Sequence, residues 1–177
     1  MKTLRNLLLL FLICIAFSCK KDSHSDSNDS YVKIKKNGTW ITYTGLGELG
    51  PDLGDNTKTD LGVSGSSTDM KEAFNIAIQL NGSNFTTGNY STDVFDPYYA
   101  LVSLTLNPDP STLKAYDVED ATGKAPSKYT ISVTSITTTQ IKGTFTGNYL
   151  YDNFSSGDAD GGVVEVTEGQ FQVKRIR

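Results

Sequence analysis

The sequence predicts an all-β domain: a single antiparallel β-sandwich, or a partly closed barrel, of about eight to ten short strands. Three observations carry this. Apolar residues recur with period two along most of the chain, helix-period patterns are nearly absent, and Gly, Asn, Asp and Pro break the runs at short intervals.

The clearest strand interleaves Phe74, Ile76, Ile78 and Leu80 with Asn75, Ala77 and Gln79, and Asn81-Gly82 ends it. Asp69 with Glu72 would suit a short helix starting at Met70, but the alternation persisting to Leu80 favours a strand. Tyr98 to Leu106 is a second strand, stopped by Asn107-Pro108-Asp109-Pro110, and Leu113 to Val118 is a weaker one. In Lys128 to Ile136, Tyr129, Ile131 and Val133 share a face. From Ile141 to Tyr151 the same-face set is Ile141, Phe145, Tyr149 and Tyr151 together with Gly143 and Gly147. Those glycines leave room for large neighbours or mark bulges. Val163 to Thr167 and Gln170 to Ile176 form a last pair, or one strand bulged at Gly169. Gly45 to Asp69, rich in glycine and poor in large apolar residues, reads as a long functional or mobile loop.

The first hairpin allows a sharper expectation. Asn37-Gly38 is the preferred dipeptide of a two-residue type I′ turn. In that register Ile34 opposes Ile41, Val32 opposes Tyr43, and these four share the core face. Trp40 then falls on the other face opposite Lys35, whose ammonium would lie over the indole. The competing register, a longer turn with a bulge at Gly38, pairs Ile34 with Trp40 and buries the indole.

The N-terminus addresses the chain to a compartment. Lys2 and Arg5 precede an unbroken apolar run from Leu7 to Phe17. At 1.5 Å per residue that run falls far short of a hydrocarbon core of about 30 Å, so it suits a cleaved signal. Ser18-Cys19 follows at once, a junction that resembles the bacterial lipobox, in which the cysteine is acylated and the mature chain begins; the resemblance implies the assignments that follow. The domains expected are a lipoprotein signal peptide over 1–18, a lipidated Cys19 with a flexible tether over 19–30, and the β-domain over 31–177. The tether, Lys20 to Ser30, has no apolar residue with which to offset ordering entropy. The expected location is the cell envelope, lipid-anchored to a membrane, with the outer membrane favoured and the periplasmic or surface side left open.

The junction Ser18-Cys19-Lys20-Lys21-Asp22 resembles the lipobox of Bacteroidota-type lipoproteins. Within the domain, Lys36-Asn37-Gly38-Thr39-Trp40, Thr87-Gly88-Asn89-Tyr90, Gly143-Thr144-Phe145-Thr146-Gly147 and Gly169-Gln170-Phe171-Gln172-Val173-Lys174 resemble a broad group of uncharacterised Bacteroidota lipoprotein domains. The resemblance implies a small β-sandwich. It carries no catalytic residues, so none is transferred.

Composition narrows the chemistry. The chain has 16 Lys+Arg against 20 Asp+Glu, and cleavage after Ser18 would remove Lys2 and Arg5 but no acid. No basic patch is evident from this, which argues against nucleic acid as a partner. From Ser30 to Arg177 there is neither Cys nor His. That excludes disulfides, Cys or His nucleophiles, Ser-His-Asp triads, zinc with its usual ligands, and haem. No cofactor is expected, with one exception. Asp152, Asp158 and Asp160, in a loop ending Gly161-Gly162, have the hard oxygens that Ca²⁺ takes, although turn formers alone account for such a loop.

Two further groups are candidates for ligands or catalysis. Tyr90, Asp93, Phe95, Asp96, Tyr98 and Tyr99 form the densest aromatic and acidic stretch, and would suit a carbohydrate platform unless the tyrosines simply pack. An exposed Trp40 would make a second platform. Glu48, Asp52, Asp55 and Asp60 would supply the carboxylates of a glycoside hydrolase. The function expected is a non-enzymatic binding or interaction module, with a glycan or an envelope protein as partner. The alternatives are a carboxylate-based glycoside hydrolase and a purely structural or assembly lipoprotein.

Overall fold

The computed structural model of the chain describes residues 30–51, 57–82, 84–94, 97–106, 114–118, 127–152 and 162–176. Eleven strands make up the fold: β1 (Tyr31–Lys36), β2 (Thr39–Pro51), β3 (Lys58–Ser66), β4 (Glu72–Asn81), β5 (Gly88–Ser91), β6 (Tyr98–Leu106), β7 (Lys114–Asp117), β8 (Thr130–Ile136), β9 (Gln140–Thr146), β10 (Tyr149–Asp152) and β11 (Val163–Arg175). Among the described residues no helix forms, so the segment after Asp69 opens a strand. The signal, Cys19 and nearly all of the tether lie outside the described residues.

Eight of the strands close on themselves in the order β1-β2-β3-β4-β6-β7-β10-β11, and antiparallel pairing of β11 with β1 completes the ring. The remaining three, β9-β8-β5, extend from β11 as an open flap. β11 is long enough to serve both. Its first residues pair with β10 (Glu165 with Tyr149), and its later ones pair with β9 (Gly169 with Phe145). The flap folds over the barrel strands, so that Phe145 of β9 stacks on Phe74 of β4 with ring centroids 5.1 Å apart. The result is an eight-stranded closed barrel with a three-stranded flap, in keeping with the sandwich or partly closed barrel that the sequence predicts.

The expected alternation is seen in β4, β8 and β9, where Phe74, Ile76, Ile131, Val133, Ile141 and Phe145 are buried, and the expected strand β6 buries Val102 and Leu104. Two expectations need correction. The supposed loop from Gly45 to Asp69 is mostly strand, since β2 runs to Pro51 and β3 covers Lys58–Ser66. Three of its glycines, Gly45, Gly47 and Gly65, are buried positions with no room for a side chain. A Cβ at Gly45 or Gly47 would meet Val173, and one at Gly65 would meet Val32 and Tyr43. The second correction concerns phase. Beyond Thr146 the strand breaks at Gly147-Asn148, and afterwards Leu150 and Asp152 are buried while Tyr149 is exposed. Gly147 lies against the Tyr129 ring and donates its N–H to the Thr167 carbonyl at 2.8 Å, which holds the break in place. Tyr129 is wholly buried, donates its hydroxyl to the Val166 carbonyl at 2.8 Å, and is pushed well above the usual tyrosine range by that burial.

Candidate functional site

The first hairpin takes the two-residue turn. Asn37 and Gly38 both have positive φ, 48° and 77°, and the pairs are Lys36 with Thr39, Lys35 with Trp40, Ile34 with Ile41, and Val32 with Tyr43. Val32, Ile34 and Tyr43 are buried, Ile41 packs partly against them, and Trp40 is 46 % exposed. The cation over the indole is Lys33, with Nζ 5.0 Å from the ring centroid, rather than the directly opposed Lys35. Lys33 is the diagonal neighbour of Trp40, within reach of a long side chain. Lys35 is instead held by Glu168, Nζ to Oε1 2.9 Å.

Glu168 reaches Lys35 because β11 is bulged there. Ile34 pairs with Gly169 but Lys36 with Val166, so two steps on β1 match three on β11, and the extra residue lies at Thr167-Glu168. The bulge turns Glu168 outward and Gly169 inward, where the Phe145 ring and the Lys33 carbonyl leave no room for a Cβ. A shallow groove of about 270 Å³ opens beside the bulge, lined by Lys33, Trp40, Thr144, Thr146, Glu168 and Gln170 among others.

The groove lies in a wider polar face. The registers carry one row across five strands: Lys33 opposes Gln170, Gln170 opposes Thr144, Thr144 opposes Ser132, and Ser132 opposes Asn89. Ser132 donates its hydroxyl to the Asn89 side-chain oxygen at 2.5 Å. Hydroxyls, amides and one exposed indole therefore share a surface that can accept and donate hydrogen bonds while stacking a ring. Of this set the sequence singled out Trp40 alone. Lys33, Thr144, Thr146, Glu168 and Gln170 were legible only as outward positions of a half-solvated sheet.

The other proposed platform is largely packing. Tyr90 is only 6 % exposed, covered by Phe85 at 4.9 Å and by the edge of Tyr98 at 5.1 Å, with its hydroxyl donating to the Thr86 carbonyl. The Tyr98 hydroxyl accepts the Ser91 N–H at 2.9 Å, so both rings tie the flap edge to the barrel instead of offering a face. Asp93 is exposed and is held below the usual carboxylate range by Lys128, 2.7 Å away, and by the Ser91 hydroxyl. Phe95 and Asp96 lie outside the described residues. Tyr99 is 37 % exposed on the barrel exterior, in one row with Gln79 and Asp60.

The acids are not brought into one site. Glu48 and Asp60 sit on the outward side of β2 and β3, offset by two residues, since Glu48 opposes Gly62 and Asp60 opposes Gly50. Asp52 and Asp55 lie outside the described residues. So do Asp158 and Asp160, while Asp152 is buried opposite Tyr116. Burial, opposed by Lys114 and reinforced by Asp152, raises Tyr116 above its usual value. Among the described residues no group of three or more potential ligands is placed to hold a metal ion.

A second cleft of about 280 Å³, lined by Ser67, Asp69, Lys71, Glu72 and Leu106, opens where the β3–β4 turn meets the barrel. Both of its carboxylates are already engaged: Asp69 accepts from the Ser67 hydroxyl at 2.7 Å and the Lys71 N–H at 3.2 Å, and Glu72 accepts from Lys36 at 2.6 Å and from the Tyr43 hydroxyl at 2.7 Å. Burial works to raise Glu72, but the hydrogen bonds from Lys36 and Tyr43 outweigh it and leave its carboxyl below the usual range. Burial, and then Glu72 itself, push Tyr43 far above the usual tyrosine range. This triad closes one end of the barrel and has little capacity left for a ligand.

Barrel, flap and polar face define the molecule as an all-β fold whose open groove lies on the outer surface. No family model matches the sequence, and comparison with curated proteins and with solved structures finds no match.

Proposed function

We propose that this chain is an envelope-anchored, non-enzymatic binding module of the Bacteroidota lipoprotein type that takes a glycan on the outer face of β1, β11 and β9. The observation that carries the reading is Trp40, an indole 46 % exposed at the rim of an open groove. An aromatic face stacks on the apolar face of a sugar ring, and Gln170, Thr144 and Thr146 stand beside it to bond hydroxyls. The interior supports the choice of the outside surface, because Phe74, Phe145, Phe171 and Tyr129 fill it. An array of glycans probed with the full chain tests this reading. Binding should be saturable and should weaken about ten-fold or more in Trp40→Ala, the scale of a lost stacking contact. The unfolding midpoint of that variant should fall by no more than a few degrees, because the indole lies outside the core and is nearly half exposed. An array without hits, or hits indifferent to Trp40, would overturn the proposal.

The anchor is argued from the Ser18-Cys19 junction after the apolar run. Fatty-acid labelling in cells is expected to mark the wild-type chain and to miss Cys19→Ala. Equal labelling of both would remove Cys19 as the acylated residue, and no label on either would remove the anchor.

A further inference from the structure

The face around Trp40 differs in charge from the chain as a whole. The sequence carries a formal net charge of −4. Yet β1, β11 and β9 bring Lys33, Lys142 and Lys174 outward on one surface. Gln172 opposes both Tyr31 and Lys142, one row along from Lys33, and Lys174 follows two residues later on β11. With strands about 4.8 Å apart and about 6.8 Å per two residues, these three lysines span roughly 14 Å. None of them forms an ion pair among the described residues, whereas Lys35, Lys36 and Lys128 are bound to Glu168, Glu72 and Asp93. On the part of this face beyond the bulge, Glu168 is the one described carboxylate of β1, β11 and β9, and Lys35 neutralises it.

We infer that the ligand of this face is an acidic polysaccharide, one whose sugar rings bear carboxylates. This rests on the glycan reading above and narrows it. A uronate ring offers what the site asks for: an apolar face for the indole, hydroxyls for Gln170 and Thr144, and an anion for Lys33, whose ammonium is poised 5.0 Å from the Trp40 ring centroid. A charge-assisted hydrogen bond of that kind is about twice as strong as a neutral one. Lys142 and Lys174 continue the positive track along the sheet, so a polymer carrying repeated carboxylates gains more than a single sugar does. The alternating Thr, Gln and Ser rows favour a hydrated polymer over a lipid surface, which would ask for more apolar side chains than Trp40 to insert.

The test uses the emission of Trp40, the single tryptophan, in the full chain purified in detergent. Polygalacturonate is titrated against its fully methyl-esterified form, which keeps the backbone and removes the charge, and alginate and hyaluronate are run beside a neutral mannan. The acidic polymers are expected to bind about ten-fold or more tightly than the neutral ones, and to weaken as salt rises from about 50 to 500 mM. Lys33→Gln and Lys142→Gln should each reduce that affinity several-fold, while Lys114→Gln, on β7, should not. Neutral and acidic polymers binding alike would overturn the inference and leave the glycan reading standing. An array and a titration without any glycan ligand would overturn both. Salt-sensitive changes in Trp40 emission with vesicles rich in phosphatidylglycerol, and with no polysaccharide, would overturn the inference in favour of a membrane surface.

Discussion

Phe145→Ala is expected to lower the free energy of unfolding by about 3–5 kcal/mol, the range for deleting a fully buried aromatic ring. Phe145 is 1 % exposed and sits where the flap meets the barrel. It stacks on Phe74 of β4 at 5.1 Å and lies at 6.4 Å, tilted, from Tyr129. Its ring edge occupies the space that a side chain at position 169 would have taken. Removing it leaves a void bounded by strands that are hydrogen-bonded on both sides, β4 between β3 and β6 and β9 between β8 and β11, so little collapse can offset the loss. Domains of this size have total stabilities of about 5–15 kcal/mol, so the loss is a large fraction of the whole. Urea unfolding followed by far-ultraviolet circular dichroism gives the number, with Lys114→Ala as a surface control. A loss under about 1 kcal/mol would mean that the flap does not pack on the barrel through this ring.

What the sequence could and could not convey follows from where the determining contacts lie. The first hairpin was legible because its information is local: Asn37-Gly38 selects the turn, and one register alone puts Val32, Ile34, Ile41 and Tyr43 on a common face. The alternation in β4 and β8 was legible for the same reason. The strands between Gly45 and Ser66 are hidden from the sequence because Gly45, Gly47 and Gly65 answer to residues far away in the chain. Val173 and Val32 occupy the space that the missing side chains leave, and nothing near position 47 announces it. The phase of Tyr149 was lost at Gly147-Asn148, where the break is set by pairing with Thr167 and Val166. The groove was only half legible. Trp40 could be placed by counting from the turn, but Glu168 faces it through a bulge, and the lysine track joins positions 33, 142 and 174 only through the registers of β11. A charge total cannot show a positive face that pairing assembles within an acidic chain.

The glycines offer the sharper trial of this packing, because two of them should respond to the same substitution with opposite sign. Gly143 on β9 and Gly88 on β5 are both strand residues without positive φ, so by intrinsic propensity alone alanine should be neutral or favourable at each. At Gly143 a Cβ would overlap the tip of the Phe171 ring and the Ser132 carbonyl oxygen on the neighbouring strand. The ring is 2 % exposed and has no free rotamer to retreat to, and the carbonyl belongs to the ladder joining β8 to β9. Both must shift, so Gly143→Ala is expected to destabilise by about 3 kcal/mol, the upper part of the range for overpacking a filled core. At Gly88 nothing lies within 4 Å of the added atom. There the alanine restricts the unfolded chain without a clash, and is expected to leave stability unchanged or raise it by up to about 1 kcal/mol. Pairing Gly143→Ala with Phe171→Leu, which shortens the opposing side chain, should recover part of the loss beyond additivity. Urea midpoints of the four variants, Phe171→Leu alone included, decide the matter. If Gly143→Ala and Gly88→Ala shift stability alike, the glycine at position 143 is not there to make room for Phe171, and the close packing of β9 on β11 must be redrawn.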